Sequence, residues 1–324
     1  MSESAQRRVL VTGGSGFIGT HVLPLLRDGQ DHILNVDVRA PVSDGERPGE
    51  WAKIDIRDHE SLAEAVTGFD PTHVVHLAAR TDTDSSELAD YTSNTLGTTE
   101  LLSVCRELPR LERFVFVSTQ FVVRPGVDTR DALHFDPHTA YGESKVVGEL
   151  LTRAALSPDR WVIVRPTNVW GPHHPRYGQE FLRVLASGRY MHPGGRDTIR
   201  TYGYVENVAH QMVGATRLPP AEVAGRVFYL GDPPIELRQW TQAFSRELRG
   251  SDVRVVPRWV LRGIAVAGDA CKVVGVRFPL TSSRYRSMTQ DYITPIDETV
   301  ATLGAGPVSL DEGVRRTSQW FRSL

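Results

Sequence analysis

The sequence has little of several things, and each shortage closes off a class of protein. It holds two cysteines, Cys105 and Cys271. That is too few for a disulfide framework or a four-cysteine zinc site, and no metal is expected. Neither sign of charge dominates: 37 Lys and Arg stand against 39 Asp and Glu, a formal net charge of −2. A polybasic surface is absent from this balance, so nucleic acid is not an expected partner. No long apolar run is uninterrupted. The stretch 257–276 is broken by Arg258, Arg262, Asp269 and Lys272, so no span and no membrane partner are expected. Met1 to Arg8 is polar, without the apolar stretch of a secretory leader, and the expected location is cytoplasmic. There is no internal repeat and no low-complexity tract. What remains is ordinary: 324 residues, 40% apolar and 23% charged, enough for one large α/β domain or two domains.

The first half alternates short β-branched runs with longer amphipathic stretches. Strands are expected at 8–12, 32–36, 52–56, 72–77, 113–117 and 161–165, with helices at 17–27, 58–66, 86–108 and 139–156. Near-continuous apolar strands between helices indicate a parallel sheet covered on both faces. After Pro166 the alternation stops. Gly, Pro, His and Arg cluster between Gly171 and Arg200, a loop-rich insertion of the kind that is usually functional. A helix at 205–217 and strands at 226–230 and 253–256 follow, and the rest reads as mostly helical. The division expected is a catalytic domain of 1–170 and about 204–230, and a discontinuous substrate domain of 171–203 and about 231–324.

Thr12-Gly13-Gly14-Ser15-Gly16-Phe17-Ile18-Gly19 follows the first strand and opens the first helix, with G-x-G-x-x-G at Gly14, Gly16 and Gly19. Glycines there permit a tight turn and close approach of backbone to a pyrophosphate, which the helix N-terminus attracts. Asp37 ends the second strand, where a carboxylate accepts hydrogen bonds from an adenosine ribose and repels a 2′-phosphate. That favours NAD over NADP, and Arg39 close by weakens the preference.

Tyr141-Gly142-Glu143-Ser144-Lys145 sets a phenol and an ammonium four residues apart, on one face of a helix. Lys145 then lowers the Tyr141 pKa and makes the phenol a usable acid and base near neutral pH. Ser118-Thr119 ends the fifth strand, at the carboxyl edge where such sheets bind ligands, and its hydroxyl can bond the same substrate oxygen.

Taken in order, Thr-Gly-x-x-Gly-x-x-Gly at 12–19, Asp37, Asp55, Leu77-Ala78-Ala79, Asn94, Ser118-Thr119, Tyr141-x-x-x-Lys145 and Arg165-Pro166-x-Asn168-x-x-Gly171-Pro172 make a set. The set resembles the extended short-chain dehydrogenase/reductases, especially nucleotide-sugar epimerases and dehydratases. The resemblance covers residues 8 to about 210 and fits the last third only loosely. It implies a Rossmann-type doubly wound parallel sheet with a smaller, mainly helical C-terminal substrate domain, and a homodimer through helices near 86–108 and 139–156.

It also implies roles. Gly13, Gly16, Phe17, Ile18 and Gly19 would meet the pyrophosphate, and Asp37 with Arg39 the ribose. Asp55 and Ile56 would flank adenine, while Leu77, Ala78, Ala79 and Asn94 would line the dinucleotide channel. Tyr141 would be the acid/base, Lys145 would also bind the nicotinamide ribose, and the backbone after Pro166 would approach the carboxamide. Thr119 and Gln120 would face the substrate. Asn168 would meet its diphosphate, with Arg200 or the neighbouring Arg196 on a nucleotide phosphate. Apart from the resemblance, His173, His174, Tyr177 and His192 in the insertion are candidates for sugar or base contacts, with exposed or structural histidines the stronger expectation.

Two departures bear on the reaction. The Asp-Glu pair that follows this threonine in sugar dehydratases is replaced by Gln120-Phe121, and Gln cannot protonate a leaving hydroxide. The usual epimerase Val-Tyr-Gly is absent, with Val122-Val123-Arg124 in its place. The expectation is an NAD-dependent nucleotide-sugar epimerase working through a transient ketone. The alternatives are a keto-sugar reductase or steroid- or flavonoid-type hydroxyl dehydrogenase of the same superfamily, and a non-catalytic dinucleotide-binding regulator, which would not need Thr119, Tyr141 and Lys145 together.

Overall fold

Six short, mainly apolar runs become strands because they can be buried on both faces of a sheet, and a seventh, part-exposed, closes one edge. They are β1 (Arg8–Thr12), β2 (His32–Asp37), β3 (Trp51–Lys53), β4 (His73–His76), β5 (Arg113–Val117), β6 (Trp161–Pro166) and β7 (Val227–Leu230). The structure is a computed structural model that describes residues 6–41, 50–127, 131–175, 181–273, 278 and 280–324. The strands lie in the order β7-β6-β5-β4-β1-β2-β3, and every ladder is parallel. The order reverses between β1 and β4, and a sheet of this kind opens a crevice there, outside the carboxyl ends of its strands. The register sets Thr12 level with Val36 on one side and His76 on the other.

Helices α1 (Gly19–Asp28), α2 (His59–Phe69), α3 (Thr92–Cys105), α4 (Ala140–Ala155) and α5 (Val205–Arg217) pack on the sheet. The alternation along β1 divides the core in two. Val9 and Val11 join Leu26, Val164 and Met212 in one cluster, and Leu10 joins Leu62, Leu101 and Ile163 in the other. A doubly wound Rossmann-like α/β fold is therefore present, with a mainly helical C-terminal region.

Beyond β6 the chain forms three small two-stranded ladders. Asn168–Trp170 pairs with Tyr202–Tyr204, Met191–Pro193 with Arg254–Val256, and Ile199–Arg200 with Ile235–Glu236. Helices α6 (Leu237–Arg249), α7 (Arg258–Val273) and α8 (Ser282–Thr289) follow, and two more helices, Asp297–Leu303 and Leu310–Arg322, end the chain. Trp170, Tyr202, Tyr204, Leu237, Trp240 and Phe244 gather in an apolar cluster of their own. Among the described residues no helix is long and apolar enough to cross a membrane.

Three of the boundaries that differ from the sequence reading bear on the cleft. The helix expected from 86 begins at Thr92, because Leu88–Tyr91 is a 3-10 turn pinned by the Tyr91 hydroxyl, which donates to the Asp82 carbonyl at 2.9 Å. Helix α1 starts at Gly19 rather than Phe17, leaving the loop residues free of the helix. Strand β3 ends at Lys53, so Ile54 to Ile56 leave the sheet and turn toward the crevice.

Candidate active site

The turn after β1 is closed by the Gly13 amide donating to Val36 O at 2.8 Å and the Gly16 amide to Gly13 O at 3.0 Å. Gly13 has φ +75°, and a Cβ there would lie 2.5 Å from the Ala78 nitrogen, so no other residue fits. The carboxylate of Asp37 faces this loop, accepting from the amides of Ser15 at 3.0 Å and Arg39 at 2.9 Å. Gly13, Gly16, Phe17, Ile18 and Gly19 line a cleft of about 2750 Å³ with Asp37, Arg39, Asp55, Ile56 and Leu77 to Ala79. A flat loop, a carboxylate at the end of β2 and a small apolar floor suit a dinucleotide; the residues present fit NAD.

Helix α4 brings the phenol and the ammonium to the same cleft. Thr139 caps it, its hydroxyl accepting from the Gly142 amide at 3.0 Å. A Cβ on Gly142 would lie 2.4 Å from Phe121 O, so glycine lets the helix close on the turn after β5. Thr119, in that turn, and Tyr141 and Lys145, on α4, all line the cleft, and each is buried. Phe121 packs on Tyr141 with ring centroids 6.2 Å apart.

The Lys145 ammonium donates to Val117 O at 2.8 Å. Burial strips it of water, and nearby Glu149 offsets this only in part, so its pKa is pushed down from 10.5 to about 7. An unfolded chain keeps this proton up to about 10.5. Between about pH 7 and 10.5 the unfolded state therefore binds more protons than the native one, and this group makes stability rise with pH by up to about 1.4 kcal/mol per unit. Replacing Lys145 with methionine should remove that rise, read by unfolding at a series of pH values. An unchanged pH dependence in the variant would contradict it.

Several residues expected at the site stand elsewhere. Asn94 is outside the cleft wall: its amide oxygen accepts from the Arg80 amide at 2.8 Å, and its nitrogen donates to Arg80 O and Ser144 Oγ. It braces the wall from behind. Gln120 is 1% exposed and also outside the lining; neither polar atom of its side chain has a hydrogen-bond partner among the described residues. Arg196 points to solvent and pairs with Asp291. Arg200 does line the cleft, but its guanidinium donates to the carbonyls of Ser287 at 3.0 Å and Gln290 at 3.2 Å. Pro166, Asn168 and His174 line the cleft as expected, with the His174 ring edge-on to Phe17 at 4.7 Å. His192 lies apart, 3.4 Å from Asp197, and Tyr177 falls outside the described residues.

Two groups escaped the sequence reading. Glu149, one turn beyond Lys145, is fully buried and holds the fully buried Arg165 through two bonds of 2.8 Å, while accepting from Ser118 Oγ at 2.6 Å. Its signal was the i+4 step from Lys145. Tyr292 donates to Gln120 O at 2.9 Å and Val123 O at 2.8 Å and lines the cleft; nothing local in its sequence announces this.

The model of the NAD dependent epimerase/dehydratase family matches residues 9–231. A 4-hydroxy-2-methyl-3-oxo-4-farnesyl-3,4-dihydroquinoline-1-oxide ketoreductase of Stigmatella aurantiaca is 28% identical over 81% of this chain and 80% of its own. A 3 beta-hydroxysteroid dehydrogenase/Delta 5-->4-isomerase of Mycobacterium tuberculosis is 28% identical over 79% of this chain and 75% of its own. The crystal structure of a UDP-glucose 4-epimerase with UDP-glucose from Thermotoga maritima superposes with a TM-score of 0.74, covering 98% of this chain and 99% of that one at 22% identity.

Proposed function

The chain belongs to the NAD dependent epimerase/dehydratase family and takes NAD, and from that premise we propose that it oxidises and re-reduces a hydroxyl of a phosphate-bearing sugar, as a nucleotide-sugar epimerase does. It is an enzyme of the extended short-chain dehydrogenase/reductase type. The observation that carries the substrate reading is charge. From Pro166 onward the cleft is lined by Arg183, Arg189, Arg200, Arg284 and Arg286 and, among the described residues, by no carboxylate. Such a wall suits the phosphates of an anionic substrate.

In this reading Gly13, Gly16, Phe17, Ile18 and Gly19 hold the pyrophosphate, Asp37 the adenosine ribose, Asp55 and Ile56 the adenine, and Pro166 the carboxamide end. Held by these residues, NAD would supply the hydride acceptor for the carbon that carries the substrate hydroxyl. Tyr141 accepts the hydroxyl proton, and Thr119 bonds the same oxygen. While it holds its proton, Lys145 stabilises the phenolate by its charge, and Leu77 to Ala79 with Phe121 keep water from the reacting carbon. Gln120 supplies no acid for loss of water, so a dehydratase is not proposed. The substrate unit proposed is 171–203 with about 231–324; the apolar cluster around Trp240 draws on both segments, together with Trp170 and Tyr204.

A second reading, a dehydrogenase or ketoreductase of an apolar alcohol, is favoured by Phe181, Tyr202, Trp240, Leu261, Ile264 and Leu280 on the same wall. One experiment separates the two. An epimerase converts a nucleotide sugar with no net NADH, whereas a dehydrogenase yields one NADH per product. Turnover of neither substrate class would remove both.

A homodimer is proposed through α3 and α4, which expose Leu96 at 44% and Leu150 at 49%. Light scattering should give twice the chain mass, falling to one chain with Leu96→Arg and Leu150→Arg together. A monomeric parent chain would refute it.

A further inference from the structure

We infer that the outer face of α7 docks on an anionic phospholipid surface, so that the enzyme is a peripheral membrane protein. A helix at the rim of a water-filled cleft ordinarily turns a polar face outward. Helix α7 does not. Trp259 is 77% exposed and Val266 58%. Gly263, Ala267 and Ala270 are exposed beside them, and Arg262 is the charged member of the group. Positions 259, 262, 263, 266, 267 and 270 form one stripe at helical spacing. Val255, 40% exposed on the short strand before α7, extends the apolar ground.

Charge selects the occupant. The whole chain carries a formal −2, yet residues 254–272 hold four Lys or Arg and a single acidic residue, Asp269. Asp269 is half-buried, and its carboxylate accepts from the Ser282 amide at 3.1 Å. Among the described residues no ion pair takes up the exposed Arg254 or Arg262, while the half-buried Arg258 donates to the carbonyls of Gly194 and Arg196. Exposed tryptophan and valine ringed by arginine is the chemistry of a helix lying in the headgroup layer: the indole enters the boundary, and the guanidiniums meet lipid phosphates. A second copy of this chain is a poorer occupant, since a two-fold contact would set the arginines of the two copies against each other. The opposite side of the same helix is Leu261, fully buried, and Ile264, both on the cleft wall. One helix thus separates the substrate cleft from the lipid. This departs from the expectation of no membrane partner; it does not depend on which substrate is turned over.

The test is sedimentation of the full chain with extruded vesicles, either phosphatidylcholine alone or phosphatidylcholine with about 30% phosphatidylglycerol. The chain should pellet with the anionic vesicles, remain in solution with the neutral ones, and be released by about 0.5 M salt. Trp259→Ser with Val266→Ser should abolish pelleting. Arg254→Ser with Arg262→Ser should weaken it by about fivefold for each arginine removed. All four positions are on the surface, and circular dichroism confirms that the variants fold. No pelleting at low salt would overturn the inference, as would equal pelleting of parent and variants. So would a self-association of the parent chain that Trp259→Ser abolishes, since that gives the face to a second copy.

Discussion

Replacing Tyr141 with phenylalanine is expected to lower kcat about a thousandfold while leaving NAD binding nearly unchanged, within the usual reach of a positioned acid/base. The substitution removes one oxygen. The ring stays between Phe121 and Tyr91, with centroids 6.2 and 6.3 Å away, and the helix that carries it keeps its Thr139 cap. What disappears is the atom that takes the substrate proton. A ring that only shaped the cleft would raise KM and spare kcat, so the split between the two constants is the diagnostic measurement. A kcat within tenfold of the parent enzyme would remove Tyr141 from the mechanism.

The largest effect on stability is expected from Glu149. Its carboxylate and the Arg165 guanidinium are both fully buried, with further bonds from Arg165 to Tyr229 OH at 2.9 Å and to Ala132 O at 2.8 Å. Glu149→Leu leaves that cation without its counter-charge and Ser118 without its acceptor. The loss should be about 3–5 kcal/mol by urea unfolding. Glu149→Leu with Arg165→Met removes both charges and should recover most of it, because a buried pair exchanged for apolar groups of like volume is often near neutral. A single-variant loss below about 1 kcal/mol would show that the pair contributes little. Since Ser118 adjoins Thr119, and Glu149 lies one turn from Lys145, the pair also ties the turn after β5 to the helix that carries Tyr141.

Much of this was legible in the sequence, where the evidence was local. Runs such as Val9-Leu10-Val11 and Val162-Ile163-Val164, short and rich in β-branched residues, read as buried strands, and Tyr141 and Lys145 share a face by spacing alone. Gly13 declares itself because a left-handed turn tolerates little else. What escaped was tertiary. Met191–Pro193 pairs with a strand some sixty residues on, too far for any pattern to join. Asn94 sits at a motif position, but its amide is spent on Arg80 and Ser144. Arg196 and Arg200 are equivalent candidates on paper; the fold turns one to solvent and binds the other to the carbonyls of α8 and its end. Arg258, Arg262 and Lys272 ruled out a span, and Arg262, exposed on the outer side of α7, argues for contact with a lipid surface instead.

The Tyr292 hydroxyl grips two carbonyls of the turn that follows Thr119, and the residue beside it, Asp291, takes the Ile199 amide at 2.9 Å. A single phenol therefore couples the tail of the chain to the catalytic strand end. Opening of that tail by local unfolding cannot proceed without releasing the turn, so the two form one cooperative unit. Amide hydrogens at 120–123 and 290–292 would then exchange together, and a substrate that orders the tail would stiffen the catalytic turn with no contact to it.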